Sequence, residues 1–109
     1  LENIITKLPN GGRIIRIYTG DNNICYLAEW YLNSKRHREG GPAVEYNNGD
    51  KWWFLNGKRH REDGPAIEYA YNNGGHTKYW TKYWYINDIQ ISCTTQKEFE
   101  RLMRLKAFW

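Results

Sequence analysis

The sequence predicts a mainly β protein: an antiparallel meander of stacked β-hairpin repeats, with one C-terminal α-helix packed on the sheet. Three observations carry that expectation. A unit of 23 residues is written out almost twice in full. Short runs of β-forming residues alternate with Asn-Gly and Gly-Pro turn signals, so the chain keeps folding back on itself. The last segment then changes from strand-like to helical spacing.

The repeat comes first because it sets everything else. Asn33-Ser34-Lys35-Arg36-His37-Arg38-Glu39-Gly40-Gly41-Pro42-Ala43-Val44-Glu45-Tyr46 is one copy. Asn56-Gly57-Lys58-Arg59-His60-Arg61-Glu62-Asp63-Gly64-Pro65-Ala66-Ile67-Glu68-Tyr69 is the next, and only three of the 14 aligned positions differ. Upstream, Trp30-Tyr31-Leu32 corresponds to Trp53-Phe54-Leu55. Trp84-Tyr85-Ile86-Asn87-Asp88 restarts the unit and departs from it, and Gly12 to Tyr18 reads as a worn copy of the Gly-Pro-Ala-Ile-Glu-Tyr half. Degenerate terminal copies are what a stacked repeat needs, because its ends face water. The chain is therefore expected to be one repeat domain over 1–109. Residues 1–29 form a degenerate N-terminal β cap, 30–91 the repeats, and 92–109 a C-terminal capping helix.

Within a unit, Trp52 to Leu55 reads as a strand and Asn56-Gly57 as a two-residue hairpin turn. Lys58 to Arg61 is the returning strand. Glu62-Asp63-Gly64-Pro65 cannot continue a ladder and marks a second turn. Ala66 to Tyr69 is extended again, and the Asn72-Asn73-Gly74-Gly75 cluster closes the unit. Inside the third copy, Thr77-Lys78-Tyr79-Trp80 is followed at once by Thr81-Lys82-Tyr83-Trp84, which lengthens that copy by 8 residues. An even insertion keeps every side chain on its original sheet face, so longer strands in the same sheet are expected. At the end, Thr95-Gln96-Lys97-Glu98 matches a capping box. Phe99, Leu102, Met103 and Lys106 recur at helical spacing, with Leu105 and Trp109 nearby. A helix over residues 96 to about 108 is expected.

The His-Arg-Glu-Asp-Gly-Pro-Ala string, led by a Trp-aromatic-Leu-Asn-Gly-Lys run, resembles a family of short-repeat proteins of large DNA viruses that infect amoebae, with relatives in phages and bacteria. It is also similar to MORN repeats, which stack β-hairpins of comparable length into a long sheet. The resemblance covers residues 30 to about 91. It implies a MORN-like fold, a viral origin and an intracellular setting in the host cytoplasm or nucleus. It implies no defined activity. MORN repeats are associated with protein scaffolding and in some cases with acidic lipids, but this sequence departs from their glycine-tyrosine pattern.

Composition narrows the function classes. The net charge is +4, mildly basic, which speeds encounter with anionic partners without naming one. Six Trp and nine Tyr suit half-buried sheet faces and binding surfaces. Cys25 and Cys93 have no metal or redox spacing and are expected as free thiols in a reducing compartment. No apolar run approaches the ~18 residues of a membrane span.

His37 and His60 occupy the same repeat position. With two strands per unit they would stand about 10 Å apart, too far for one metal ion with ligands about 2 Å away. Packing or a hydrogen bond to a turn is the expected role. His76 falls in a turn. No nucleophile motif, phosphate loop or dinucleotide fingerprint is present. The distinctive residues sit at repeated positions, whereas catalysis needs a unique convergent constellation. No enzymatic activity, cofactor or metal is expected. A small hydrolase centred on His60 is the weakest alternative.

Two surfaces remain as candidates. Lys35, Arg36, Arg38, Lys58, Arg59 and Arg61, extended by Lys78 and Lys82, would form a basic ladder. Arg36 and Arg38 share one side by strand alternation, as do Arg59 and Arg61. Such a stripe can grip phosphates of nucleic acid or anionic lipid, or be neutralised by Glu39, Glu45, Glu62 and Glu68 and laid over aromatic rings. Trp53 and Leu55 would face one side of their strand and Trp52 and Phe54 the other. Trp52, Phe54, Tyr79 and Trp80 are the candidate aromatic partner surface. The expected function is a protein-interaction module, with a protein partner or a second copy of the chain. Binding of nucleic acid or anionic lipid through the ladder is the alternative.

Overall fold

The computed structural model describes residues 2–20, 23–73 and 76–105, apart from the side chains of 71–80. The order of elements is β1 (Glu2–Lys7), β2 (Arg13–Tyr18), β3 (Cys25–Leu32), β4 (Lys35–Arg36), β5 (Val44–Tyr46), β6 (Lys51–Trp52), β7 (Phe54–Leu55), β8 (Lys58–Arg59), β9 (Ile67–Asn73), β10 (His76–Ile86), β11 (Ile89–Ile91) and α1 (Gln96–Leu105). The main sheet has the order β1-β2-β3-β5-β6-β9-β10-β11, and β4 pairs with the end of β3. Every pairing is antiparallel, and β7 and β8 form a separate two-stranded ladder. The protein is thus mainly β with a single C-terminal helix, as the repeat predicts.

Turn chemistry places the hairpins. Asn33-Ser34, Asn56-Gly57 and Asn87-Asp88 all have positive φ at both positions. That is the two-residue turn whose twist matches the flanking strands. The three turns close equivalent hairpin tips: β3–β4, β7–β8 and β10–β11. The lengthened third copy forms the long pair β9–β10, as expected, but a register shift between Tyr79 and Thr81 leaves Trp80 outside the pairing and puts the strand positions on either side out of phase, so the even insertion does not preserve one alternation throughout. His76 opens β10, paired with Asn73, rather than lying in the turn.

A further expectation is corrected. Trp52 to Leu55 is not a continuous strand: it breaks at Trp53, between β6 and β7. The hairpin tip there leaves the main sheet, and its second half hydrogen-bonds to the neighbouring tips. Arg38 donates its backbone N–H to Phe54 at 3.1 Å, and Gly57 donates to Arg36 at 2.8 Å. Strand alternation cannot be carried across such a break, so Phe54 and Leu55 take their surroundings from the tip.

Cross-strand register separates the two faces of the main sheet, because directly opposed residues share a face. Ile15, Glu29, Val44, Trp52, Ile67 and Tyr83 form one continuous row. Arg16, Ala28, Glu45, Lys51, Glu68 and Lys82 form the next row, on the opposite face. The first face is therefore apolar and aromatic, and the second charged with alternating sign.

On the charged face the Gly-Pro loops fold back over the tryptophans. Trp30 and Trp53 donate backbone N–H groups to Ala43 and Ala66 at 2.8 and 2.7 Å. Both alanines are wholly buried. Ile14 of the worn copy takes the same place, paired with Trp30 and buried. A Cβ on Gly64 would stand 2.8 Å from the Arg61 guanidinium carbon, so glycine there lets the guanidinium lie close against the loop.

The largest buried cluster among the described residues is C-terminal: Trp84, Ile86, Ile91 and Phe99, flanked by Cys93, Leu102 and Met103. Thr95 Oγ1 accepts the Glu98 backbone N–H at 3.2 Å, the capping bond read from the sequence. The helix is described as far as Leu105, so the expected positions of Lys106 and Trp109 lie outside the described residues.

Candidate interaction surface

The basic ladder does not form one stripe. Arg36 donates to Glu29 from Nε and Nη2 at 3.2 and 2.9 Å, and Glu29 lies on the apolar face. Arg38 donates to Glu45 at 3.3 Å and to the Pro42 carbonyl at 3.2 Å, and Glu45 lies on the charged face. Arg36 and Arg38 therefore reach carboxylates on opposite faces of the sheet, not a shared side. The cause is the end of β4 at Arg36, after which the chain turns at His37 instead of alternating further.

Each arginine also lies over a ring. Arg38 and Arg61 sit 4.0 and 3.9 Å from the Trp30 and Trp53 centroids. Arg36 and Arg59 sit 5.6 and 4.3 Å from Phe54 and Tyr85, which belong to the following tip. Arg61 repeats the bonds of Arg38, to Glu68 and to the Pro65 carbonyl, and adds Asp63 at 2.8 Å.

Arg36 and Arg59 find different carboxylates for a readable reason. Unit one has Glu29 and, in the next turn, Gly57. Unit two has Trp52 where Glu29 stood, and Asp88 where Gly57 stood. Asp88 Oδ1 accepts both the backbone N–H and the Nε–H of Arg59, at 2.9 and 2.8 Å. Those two hydrogen bonds, the guanidinium's first, hold the Asp88 carboxyl below its ordinary range. The Tyr31 hydroxyl is pushed up by burial and by its hydrogen bond to Glu29. Lys35, Lys58 and Lys82 are exposed, and the side chain of Lys78 lies outside the described residues.

The two repeat histidines join units. Both are buried. His37 Nδ1 accepts the backbone N–H of Asn56 at 2.9 Å, and His60 Nδ1 accepts that of Asn87 at 3.0 Å. Each histidine thereby satisfies the turn of the following hairpin. An accepting Nδ1 leaves Nε2 as the protonated nitrogen, and in His60 that nitrogen faces Glu62 at 3.2 Å.

The aromatic face carries a run of rings that the sequence reading missed. Tyr26, Tyr46, Trp52, Tyr69 and Tyr83 follow one another across the sheet with centroid separations of 5.9, 6.1, 6.4 and 6.4 Å. All four contacts are edge to face, the geometry favoured by the ring quadrupole. Of the expected aromatic residues, Trp52 stands in the middle of this ladder and Phe54 lies in the tip beneath Arg36. The side chains of Tyr79 and Trp80 lie outside the described residues. A signal was available: Tyr46 and Tyr69 are the closing residues of the two copies, one period apart.

A cavity of about 440 Å³ is lined by Gln90 to Thr94 and Glu98. Burial, then the charge of Glu98, pushes the Cys93 thiol up, which disfavours the nucleophilic thiolate there. Among the described residues no group of three or more His, Cys, Asp or Glu is placed to hold a metal. No helix among them is long and apolar enough to cross a membrane. Compared with known proteins, the chain matches no family model, no curated protein and no solved structure.

Proposed function

We propose that this is a non-enzymatic repeat protein that binds another protein through the aromatic face of its main sheet. The observation that carries this is the ladder from Tyr26 to Tyr83, both of whose end rings are exposed, at 42 % and 38 %. Tyrosine and tryptophan supply large contact areas at low entropic cost and dominate the energetics of protein interfaces. The opposite face is closed by the Gly-Pro loops, their arginines and α1, so it offers less apolar surface. The arginines spend their donors on carboxylates within the chain, which favours the aromatic face over a phosphate-gripping ladder. Of the basic ladder, Lys35, Lys58 and Lys82 are the exposed members.

The test is affinity purification from the source cells with the intact chain and two variants. One carries Tyr46→Ala and Tyr69→Ala, the other Lys35→Ala, Lys58→Ala and Lys82→Ala. A defined protein partner retained at high salt by wild type and lost only by the tyrosine variant supports the proposal. Recovery of nucleic acid that falls steeply with salt, and is lost only by the lysine variant, overturns it in favour of an anion-binding role.

A further inference from the structure

Two grooves in the molecule are built on equivalent walls, and the chain closes only one of them completely. The C-terminal groove lies between the loop residues Arg61, Glu62 and Asp63 and the side chains Trp84, Ile86 and Ile91. The inner groove lies between Arg38, Glu39 and Gly40 and the side chains Trp53, Leu55 and His60, and Arg61, Glu62 and Asp63 of the next loop line it as well. These sets align residue for residue along the repeat.

The chain itself fills the C-terminal groove. Phe99 of α1 is wholly buried against Trp84, Ile86 and Ile91. Gln96 bridges the two walls with its carboxamide: Oε1 accepts the Trp84 indole N–H at 3.0 Å, and Nε2 donates to the Asp63 carbonyl at 3.0 Å. In the inner groove a cavity of about 240 Å³ remains. The Trp53 indole N–H, counterpart of the one that Gln96 satisfies, is buried with no hydrogen-bond partner. An orphaned buried donor of this kind is destabilising until it finds an acceptor. The volume lies below the ~300–1,000 Å³ of ordinary small-molecule sites and suits an inserted side chain.

We infer that the inner groove docks a segment of a partner protein that presents a glutamine side chain and, one helical turn later, an apolar one. This rests on the reading of the chain as an interaction module, and it names the chemistry that the partner brings. The glutamine would bridge Trp53 Nε1 and the Gly40 carbonyl as Gln96 bridges Trp84 and Asp63. Arg61 already covers one face of the Trp53 ring, so the apolar residue meets Leu55 at the groove wall.

The probe is an acetylated peptide with the sequence of residues 94–105, titrated into the full chain while the indole N–H resonances are followed by NMR. The expected result is a saturable shift of the Trp53 indole with the Trp84 indole unmoved. Replacing the peptide glutamine by alanine should weaken binding about tenfold, and Trp53→Phe in the protein should do the same. If that variant does not fold, the peptide substitutions decide by themselves. A shift confined to Trp84 means exchange with the resident helix and overturns the inference. So does a Trp53 shift that is indifferent to the glutamine, or no shift at all. Those failures leave the tyrosine-variant experiment untouched, so the groove and the aromatic face stand or fall separately.

Discussion

The inner units and the C-terminal unit solve the same problem with different residues. In each inner unit the face of a tryptophan is covered by an arginine from the unit's own loop, Arg38 on Trp30 and Arg61 on Trp53. In the C-terminal unit Ser92 stands at the arginine's position, and Trp84 is covered by Phe99, whose ring lies 6.2 Å away and tilted by 33°. The histidine position changes in step. His37 and His60 each clamp the turn of the following hairpin, and the third copy, with no hairpin after it, has Ile91, buried against Phe99. The motif's polar residues are thus joints between neighbours. Where α1 follows in place of another hairpin, apolar packing replaces them.

That contrast breaks most visibly at the helix. Phe99→Ala should cost about 3–5 kcal/mol, read from urea denaturation, and should expose Trp84 to fluorescence quenching. A cost below about 1 kcal/mol would mean that α1 is not what closes the last unit. Next comes a joint. His60→Ala leaves the Asn87 N–H without its acceptor and should cost about 1–3 kcal/mol, with Asn87 losing protection from hydrogen exchange. If Asn87 exchanges as in wild type, the histidine packs but does not clamp.

Arginine closure is expected to be worth less than helix closure. Arg61→Lys keeps the charge but loses the planar stack on Trp53 and the fork that reaches Glu68 and Pro65. About 1 kcal/mol is expected, and a double-mutant cycle with Trp53→Leu should show coupling of similar size; additive single costs would show that the stack carries no energy. The smallest effect belongs to the exposed Arg59–Asp88 pair. A carboxyl held below its ordinary range stabilises the fold above the unfolded value of about 3.9, and that stability is lost as pH falls through the folded value. Asp88→Asn should remove about 0.2–1 kcal/mol at neutral pH, screening included, and progressively less as pH falls through the folded value. A variant deficit that persists undiminished in acid would assign the effect to the turn rather than to the charge.

Much of the architecture was legible because the relevant signals are local. Asn56-Gly57, Gly64-Pro65 and Thr95 to Glu98 each carry their own turn or cap chemistry, and the Thr-Lys-Tyr-Trp duplication lengthens β10 within the sheet, although the register shift after Tyr79 breaks the alternation that its even length implied. What was not legible depends on where the chain leaves the sheet. Trp52-Trp53-Phe54-Leu55 are all strand formers, so nothing local marks the break at Trp53. It comes from the tip bonding to its neighbours. The same departure sends Arg36 and Arg38 to carboxylates on different faces, which strand alternation could not foresee. The histidines' expected hydrogen bond to a turn is present, but the turn belongs to the next unit. Tyr46 and Tyr69 close the two copies one period apart, but their ring contacts run through Trp52 and depend on the cross-strand register, which the repeat alone does not set.

The His-to-turn clamp has a consequence for how such a gene changes over generations. Both halves of each joint, the histidine and the turn asparagine, are encoded within the repeating stretch, while the helical closure is encoded once, after it. A duplication or loss of one whole stretch therefore brings its own connectors and leaves the terminator in place. Copy number becomes a trait that recombination can adjust in single steps, lengthening or shortening the aromatic face by two strands at a time.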